Sequence, residues 1–455
     1  MKPATTRDPV ERAVTEFTDS IAPPAKIFYD AEKKEYLMKN AGGRWLSFNQ
    51  AQVKRRLRSL GYSNKPGDSA TSEVEEILQN SEEYHDIRYA APLAGKVTGF
   101  YEENGLRYLV TDSPTLIEPK RGDFPTLQAV LNGLFVNGED ATTGPRQLFI
   151  FKSWLRHAII SLRAGKLSQA QAIAICGPAN SGKSLIQKII TKLLGGRSAK
   201  GARYMTGKTE FNAELCAAEH IILEDEHMSN RMADRLRFGT QIKNVTVSTD
   251  TVSCHRKGHT AVNLPVWWRV SITLNDNPED LRILPPLNES VKDKIIILRA
   301  HSCKMPMPTV TPDERSSFWE TLNNELPAFV HNLINDLKIP KESSCPRYGI
   351  ATWHHPDLAL ALYEISSEAH LLKLIDLALW KNEQSEWEGT AEGLRSVLID
   401  DYQTSRDARQ LMASVNGCGT LLGRLANSDQ SQNRIISQRT NKTRGWKILK
   451  SPPHN

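Results

Sequence analysis

The sequence predicts an α/β chain, and three observations carry that expectation. QAIAIC is an apolar run of strand length. GPANSGKS follows it directly as a glycine-bounded loop made of Gly177, Pro178, Ala179, Asn180, Ser181, Gly182, Lys183 and Ser184. LIQKIITKLLGG then has helical spacing and ends on the stop Gly195-Gly196. All fixed positions of GxxxxGK[ST] are present in strand–loop–helix order. Glycines let backbone N–H groups curl around a phosphate chain, and the helix N-terminus adds the positive end of its dipole. Lys183 is expected to reach the β- and γ-phosphates, and the Ser184 hydroxyl to ligate Mg²⁺. ATP with Mg²⁺ is the expected ligand.

Composition limits the remaining choices. A chain of 455 residues has room for about three domains, and 39% hydrophobic content supplies ordinary cores. The net charge of +6 permits a nucleic-acid partner without requiring one. From Cys418 onward the charge is one-sided: Arg424, Arg434, Arg439, Lys442, Arg444, Lys447 and Lys450 stand against Asp429. Six cysteines lie far apart with no CxxC pair, which argues against zinc and disulfides and fits a reducing compartment. MKPATTRDPVERAV has no apolar signal core and no run approaches membrane-spanning length, so a cytoplasmic protein with no membrane partner is expected.

Residues 1–85 are expected to form a small α+β region. IFYDAEKKEYLMKNAGGRWLSFN alternates like a hairpin or short meander, and AQVKRRLRSLG follows as a basic helix. Its Lys54, Arg55, Arg56 and Arg58 read as a solvated face more than as a nucleic-acid contact. Residues 86–164 hold a strand pair around Asn104-Gly105, then a helical collar with Phe151, Trp154, Leu155, Ala158, Ile159 and Leu162 on one face. Beyond the loop, the core is expected to span 165–305. His220-Ile221-Ile222-Leu223 is a strand delivering Glu224, Asp225 and Glu226, acids placed to hold Mg²⁺ (Asp225 with Ser184) and polarise water. FGTQIKNVTVSTDTVSCHRKGHTAVNLP reads as two alternating strands, with Val245 and Val247 on one and Val262 and Leu264 on the other. Its polar tip carries Arg256, Lys257, Gly258 and His259, suited to phosphates. WWRVSITL is a further buried strand ending in Asn275, an amide that can read a γ-phosphate or position water.

The order of loop, acidic strand end, basic hairpin and strand ending in Asn resembles superfamily 3 helicases, AAA+ motors of small DNA viruses, phages and plasmids. The phage and plasmid type associated with primases looks nearest. The resemblance covers roughly residues 165–300, about a third of the chain. It implies an AAA+ core with a central parallel sheet. GPANSGKS is similar to Walker A, ILEDEHMS to Walker B, HRKGHTAV to a presensor hairpin with Lys257 and His259 on DNA, and ITLN to the motif ending in sensor Asn275. Glu224, Asp225 and Glu226 all remain open as the Walker B acid. The trans-acting finger also stays open among Lys294, Arg282 and Arg299. The implied activity is ATP-dependent unwinding by a ring, six subunits in number, on single-stranded DNA or a forked duplex, with a primase or initiator as a separate polypeptide.

Residues 306–385 are expected to form a helical lid. His354-His355-Pro356 reads as a turn before a helix, since no third ligand follows at metal spacing. Residues 386–455 read as helices followed by a basic hairpin, a winged helix with Arg439, Lys442 and Arg444 near phosphates. Two other classes share the loop: a non-translocating AAA+ regulator, initiator or defence ATPase that uses ATP to assemble, and a small-molecule or polynucleotide kinase. The basic hairpin separates the motor from the first, and the hairpin-then-Asn order from the second.

Overall fold

Ala172–Cys176 is buried along its whole length, and its alternate residues enter two different cores. Ala172, Ala174 and Cys176 join one apolar cluster, while Ile173 and Ile175 join another. A strand buried on both faces belongs to the interior of a parallel sheet covered on both sides. The computed structural model, which describes residues 26–66, 71–224, 232–247, 250–380, 384–412, 417–427, 434–439 and 444–450, has that sheet. Its five strands lie in the order Ile295–Arg299, Ala172–Cys176, Arg269–Leu274, His220–Glu224, Ser198–Lys200, all parallel.

Each face of the sheet has its own cover. Ile173, Ile175, Ile296 and Leu298 pack with the helices Pro125–Phe135, Thr143–Arg163, Lys183–Leu193 and Pro312–His331. The collar face expected in the sequence is that contact, with Phe151, Trp154, Leu155 and Ala158 fully buried. On the other face, Val270, Ile272, Leu274 and Ile297 meet Phe238, Ile242 and Val245, together with Tyr89, Tyr108 and Val110 of a three-stranded sheet.

Phe238, Ile242 and Val245 correct one expectation. FGTQIKNVTV is not a strand: it belongs to the helix Met232–Val247, so Val245 and Val247 are helical. The spacing of these three residues puts them on one helical face against the core, and that burial outweighs the strand preference of Val, Ile and Thr. The hairpin itself is Thr251–Cys254 paired antiparallel with Val262–Pro265.

At the N-terminal end, Phe28–Asp30, Glu35–Lys39 and Trp45–Phe48 form the meander, completed by Asp86–Ile87. On the basic helix Gln50–Ser59, Lys54 pairs with Glu75 at 2.7 Å and Arg56 stacks 5.2 Å from the Phe48 ring. At the other end, the helices Ala391–Asp400, Ser405–Leu411 and Gly417–Ala426 pack on a three-stranded sheet. Glu386–Thr390, absent from the sequence expectation, is its third strand beside the hairpin Ile435–Arg439 and Arg444–Leu449. Among the described residues, no helix is long and apolar enough to cross a membrane.

Candidate nucleotide and nucleic-acid site

The glycine-bounded loop leaves the carboxyl end of Ala172–Cys176, between the strands on either side. Gly177 N–H donates to the Leu274 carbonyl at 3.1 Å, and Ala300 N–H donates to the Cys176 carbonyl at 2.7 Å. Binding crevices of parallel sheets open at such strand ends. The first glycine is there because of crowding: a Cβ on Gly177 would fall on the Ala300 carbonyl oxygen, with its carbon at 2.9 Å. The second, Gly182, has φ +101°, a left-handed conformation that suits glycine, and it caps the helix Lys183–Leu193. The first-turn N–H groups of that eleven-residue helix therefore face the loop. Ser184 is exposed at this end, while Ser181 is buried within the loop.

Lys183 Nζ donates to the carbonyls of Gly177 at 2.8 Å and Pro178 at 2.6 Å, and lies 3.4 Å from Asn275 Oδ1. Two residues 92 positions apart are thus brought together, one at the start of the loop helix and one at the end of the strand beside Ala172–Cys176. Asn275 Nδ2 in turn donates to Asp280 Oδ2 at 2.9 Å, which fixes the orientation of the amide. Glu224 ends the neighbouring strand, and its carboxylate pairs with Lys200 at 2.8 Å. Asp225 and Glu226 lie outside the described residues.

A buried polar network joins the loop helix to the two strands that carry Glu224 and Asn275. Gln187 Nε2 donates to Ser271 Oγ at 3.1 Å and to the Leu223 carbonyl at 3.3 Å. His220 Nε2 shares a hydrogen bond of 2.8 Å with Ser271 Oγ, and its Nδ1 one of 2.8 Å with Thr191 Oγ1. Burial pushes the His220 imidazole down to about 3, so it is neutral in the folded chain. None of these polar positions was singled out in the sequence, where each reads as an ordinary residue within an apolar element.

The three candidates for a trans-acting cation differ sharply. Lys294 is buried and pairs with Asp293 at 2.6 Å, and Arg299 pairs with Asp357 at 2.8 Å. Arg282 follows the short helix Pro278–Leu281, a few residues beyond Asn275, and is exposed.

At the hairpin tip the structure separates the basic residues. Lys257 is exposed. Arg256 instead turns inward, donating to the Ala90 carbonyl at 3.1 Å with its guanidinium 4.2 Å from the Tyr89 ring centre. His259 Nδ1 lies 3.7 Å from Glu32 Oε1. Beside the tip, where the first strand ends, stands an aromatic residue missed in the sequence: Phe211, 45% exposed, with its ring 5.0 Å from that of His255. The next residue, Asn212, fastens this loop to the hairpin. Its Nδ2 donates to the Ser253 carbonyl at 2.8 Å, its Oδ1 accepts from His255 N–H at 2.7 Å, and its own N–H donates to the His255 carbonyl at 3.1 Å.

In the C-terminal module, Arg439 and Arg444 are exposed, and the Arg444 guanidinium lies 4.5 Å from the Trp446 ring. Lys447 is bound to Glu386 at 2.7 Å and Glu388 at 3.3 Å, Arg424 pairs with Glu368 at 3.1 Å, and Arg434 pairs with Asp376. Lys442 lies outside the described residues. His355 is more than a turn residue: it is buried, and its Nε2 meets Glu139 Oε1 at 3.0 Å, an oxygen also contacted by His301 at 2.5 Å. Among the described residues, no group of three or more His, Cys, Asp or Glu could hold a metal, and all six cysteines are free.

No family model matches the sequence, and no curated protein matches it. Solved structures do. The apo structure of the NrS-1 C-terminal region overlays with a TM-score of 0.53 at 13% identity, covering 98% of this chain and 100% of that one. At that identity the likeness is one of fold. Lower scores come from the SCCmec type IV Cch active helicase (0.29, 11% identity, 90% of this chain and 74% of that) and from inhibitor-bound JCV helicase (0.26, 13%, 56% and 64%).

Proposed function

We propose that this chain is an ATP-driven DNA helicase of the superfamily 3 type, working as a ring of six on single-stranded DNA or a forked duplex. The observation that carries the reading is the meeting of Lys183, at the start of the loop helix, with Asn275, at the end of the neighbouring strand, at 3.4 Å; that strand follows the hairpin that bears Lys257. The residues present fit ATP: a glycine-lined loop, a helix N-terminus and a lysine at its mouth. Lys183 would leave the loop carbonyls for the β- and γ-phosphates, while Asn275, oriented by Asp280, would hold the attacking water or the γ-phosphate. Ser184 and Asp225 would hold Mg²⁺, which neutralises phosphate charge when bound. Because Glu224 already pairs with Lys200, Asp225 and Glu226 are the better candidates for polarising water. Exposure favours Arg282 over Lys294 and Arg299 as the finger reaching a neighbouring subunit.

Lys257 and Phe211 would form the nucleic-acid contact, one by charge and the other by stacking on a base. The C-terminal helices and sheet would act as a winged helix through Arg439, Lys442 and Arg444, with a primase or initiator supplied by another polypeptide. The deciding experiment is the ATP hydrolysis rate with and without single-stranded DNA. Stimulation by DNA that is lost in Lys257→Ala, with all turnover lost in Lys183→Ala, is the expected result. An equal rate with and without DNA counts against the motor. One observation favours a second reading, a non-translocating AAA+ regulator that uses ATP to assemble: Arg256 and His259 are engaged by the chain itself, at Ala90 and Glu32.

A further inference from the structure

The hairpin tip is engaged from within the chain. Thr260 N–H donates to Glu32 Oε1 at 2.8 Å, and the same oxygen lies 3.7 Å from His259 Nδ1. Arg256 stands beside them, stacked on Tyr89. The Thr260 N–H, ahead of the weaker pull of His259 and Arg256, holds the Glu32 carboxyl below the usual carboxylate range. A turn N–H flanked by an imidazole and a guanidinium is a donor set that suits a backbone phosphate oxygen. Glu32 occupies it from the turn between Phe28–Asp30 and Glu35–Lys39, 228 residues away in sequence. A cleft of about 660 Å³, lined by Glu32, Asp86, Asn104, Thr251 and Asn263, runs along this junction.

We propose that Glu32 is an internal stand-in for a nucleic-acid phosphate, latching the hairpin tip to the N-terminal module until a single strand displaces it. This rests on the hairpin being the nucleic-acid contact. The carboxylate and the phosphate compete for one N–H and the same neighbouring imidazole and guanidinium, so a bound strand and a closed latch exclude each other. Opening the latch breaks one hydrogen bond and one long contact with the His259 imidazole, while Arg256 can keep its place on Tyr89.

The test compares the full-length protein with Glu32→Ala and with Glu102→Ala, which removes an exposed acid from a neighbouring sheet. The measurements are affinity for a labelled oligothymidylate and the exchange rate of the Thr260 amide. Glu32→Ala should bind roughly threefold to tenfold tighter and exchange Thr260 faster, the size expected for losing one exposed, charge-assisted competitor. Glu102→Ala should do neither. Equal tightening in both variants overturns the latch in favour of general charge repulsion. Faster Thr260 exchange with unchanged affinity also overturns it, and leaves the nucleic-acid reading of Lys257 standing. Failure of every form to bind the strand sinks that reading and the latch together, and leaves the ATP site untouched.

Discussion

Replacing Gly177 by Ala would test whether the loop is seated by contact with the neighbouring strand end. The added Cβ would overlap the Ala300 carbonyl oxygen and lie 2.9 Å from its carbon and 3.0 Å from the Ala300 Cβ. Both sides of this contact are backbone or short side chain, so no flexible group can move away. The two segments must part instead. That strains the Ala300 N–H to Cys176 bond of 2.7 Å and the Gly177 N–H to Leu274 bond of 3.1 Å. Two weakened backbone bonds at about 1 kcal/mol each, plus about 1–3 kcal/mol for overpacking, give a loss of about 3–5 kcal/mol. On the ATP reading proposed above, a displacement of about 1 Å at the first residue of the loop would also cost on the order of a hundredfold in turnover. Urea unfolding reads the first quantity, and a fluorescent ATP analogue with a turnover assay reads the second. A variant within about 1 kcal/mol of the parent that binds nucleotide normally would show that crowding does not set the loop's position.

Two further outcomes follow from buried titratable groups. Glu219 has a fully buried carboxylate that accepts from Gly95 N–H at 2.9 Å and from Arg197 Nε at 2.9 Å, tying the N-terminal strands to the core. Glu219→Ala should cost about 2–3 kcal/mol in urea unfolding, because the Gly95 N–H loses its acceptor and the Arg197 guanidinium keeps only the Leu93 and Asp112 carbonyls and a long pair with Asp112, and a loss below about 1 kcal/mol would refute that. His220 is held down at about 3 by burial, against about 6.5 in an unfolded chain, so the unfolded state takes up the proton first. Its stabilising share is complete above about pH 6.5 and is lost as pH falls toward 3, by up to about 1.4 kcal/mol per unit. The stability difference between the parent and His220→Gln should therefore narrow from pH 7 to pH 5, and a constant difference would contradict the assignment.

The parts of the site legible in the sequence are those written in consecutive residues. Gly177 to Ser184 state their strand, turn and helix locally, and the apolar run ending at Asn275 states a buried strand. The helix Met232–Val247 was misread because Val, Ile and Thr favour strands when judged alone, whereas its periodic core contact decides the outcome. Glu32, Asn212, Glu219 and Gln187 were not legible, because their partners lie between 22 and 228 residues away. No local pattern marks such pairings. Phe211 carried a weak signal, an aromatic residue among Lys, Thr, Glu and Asn, that only its exposure next to the hairpin made meaningful.

The fastening at Asn212 has a mechanical consequence. With the Phe211 loop bonded to one leg of the hairpin, and the Trp268 indole bonded to the Leu215 carbonyl at 2.7 Å beyond the other, loop and hairpin would move as one lever with its fulcrum at Trp268. From that fulcrum the chain enters Arg269–Leu274, six buried residues that span about 20 Å and end at Asn275. Hydrogen bonded on both sides, the strand can neither stretch nor buckle, so it acts as a push-rod. On the proposed motor reading, force on the tip would arrive at the amide beside Lys183 as displacement along that rod, and a change at the amide would return by the same route.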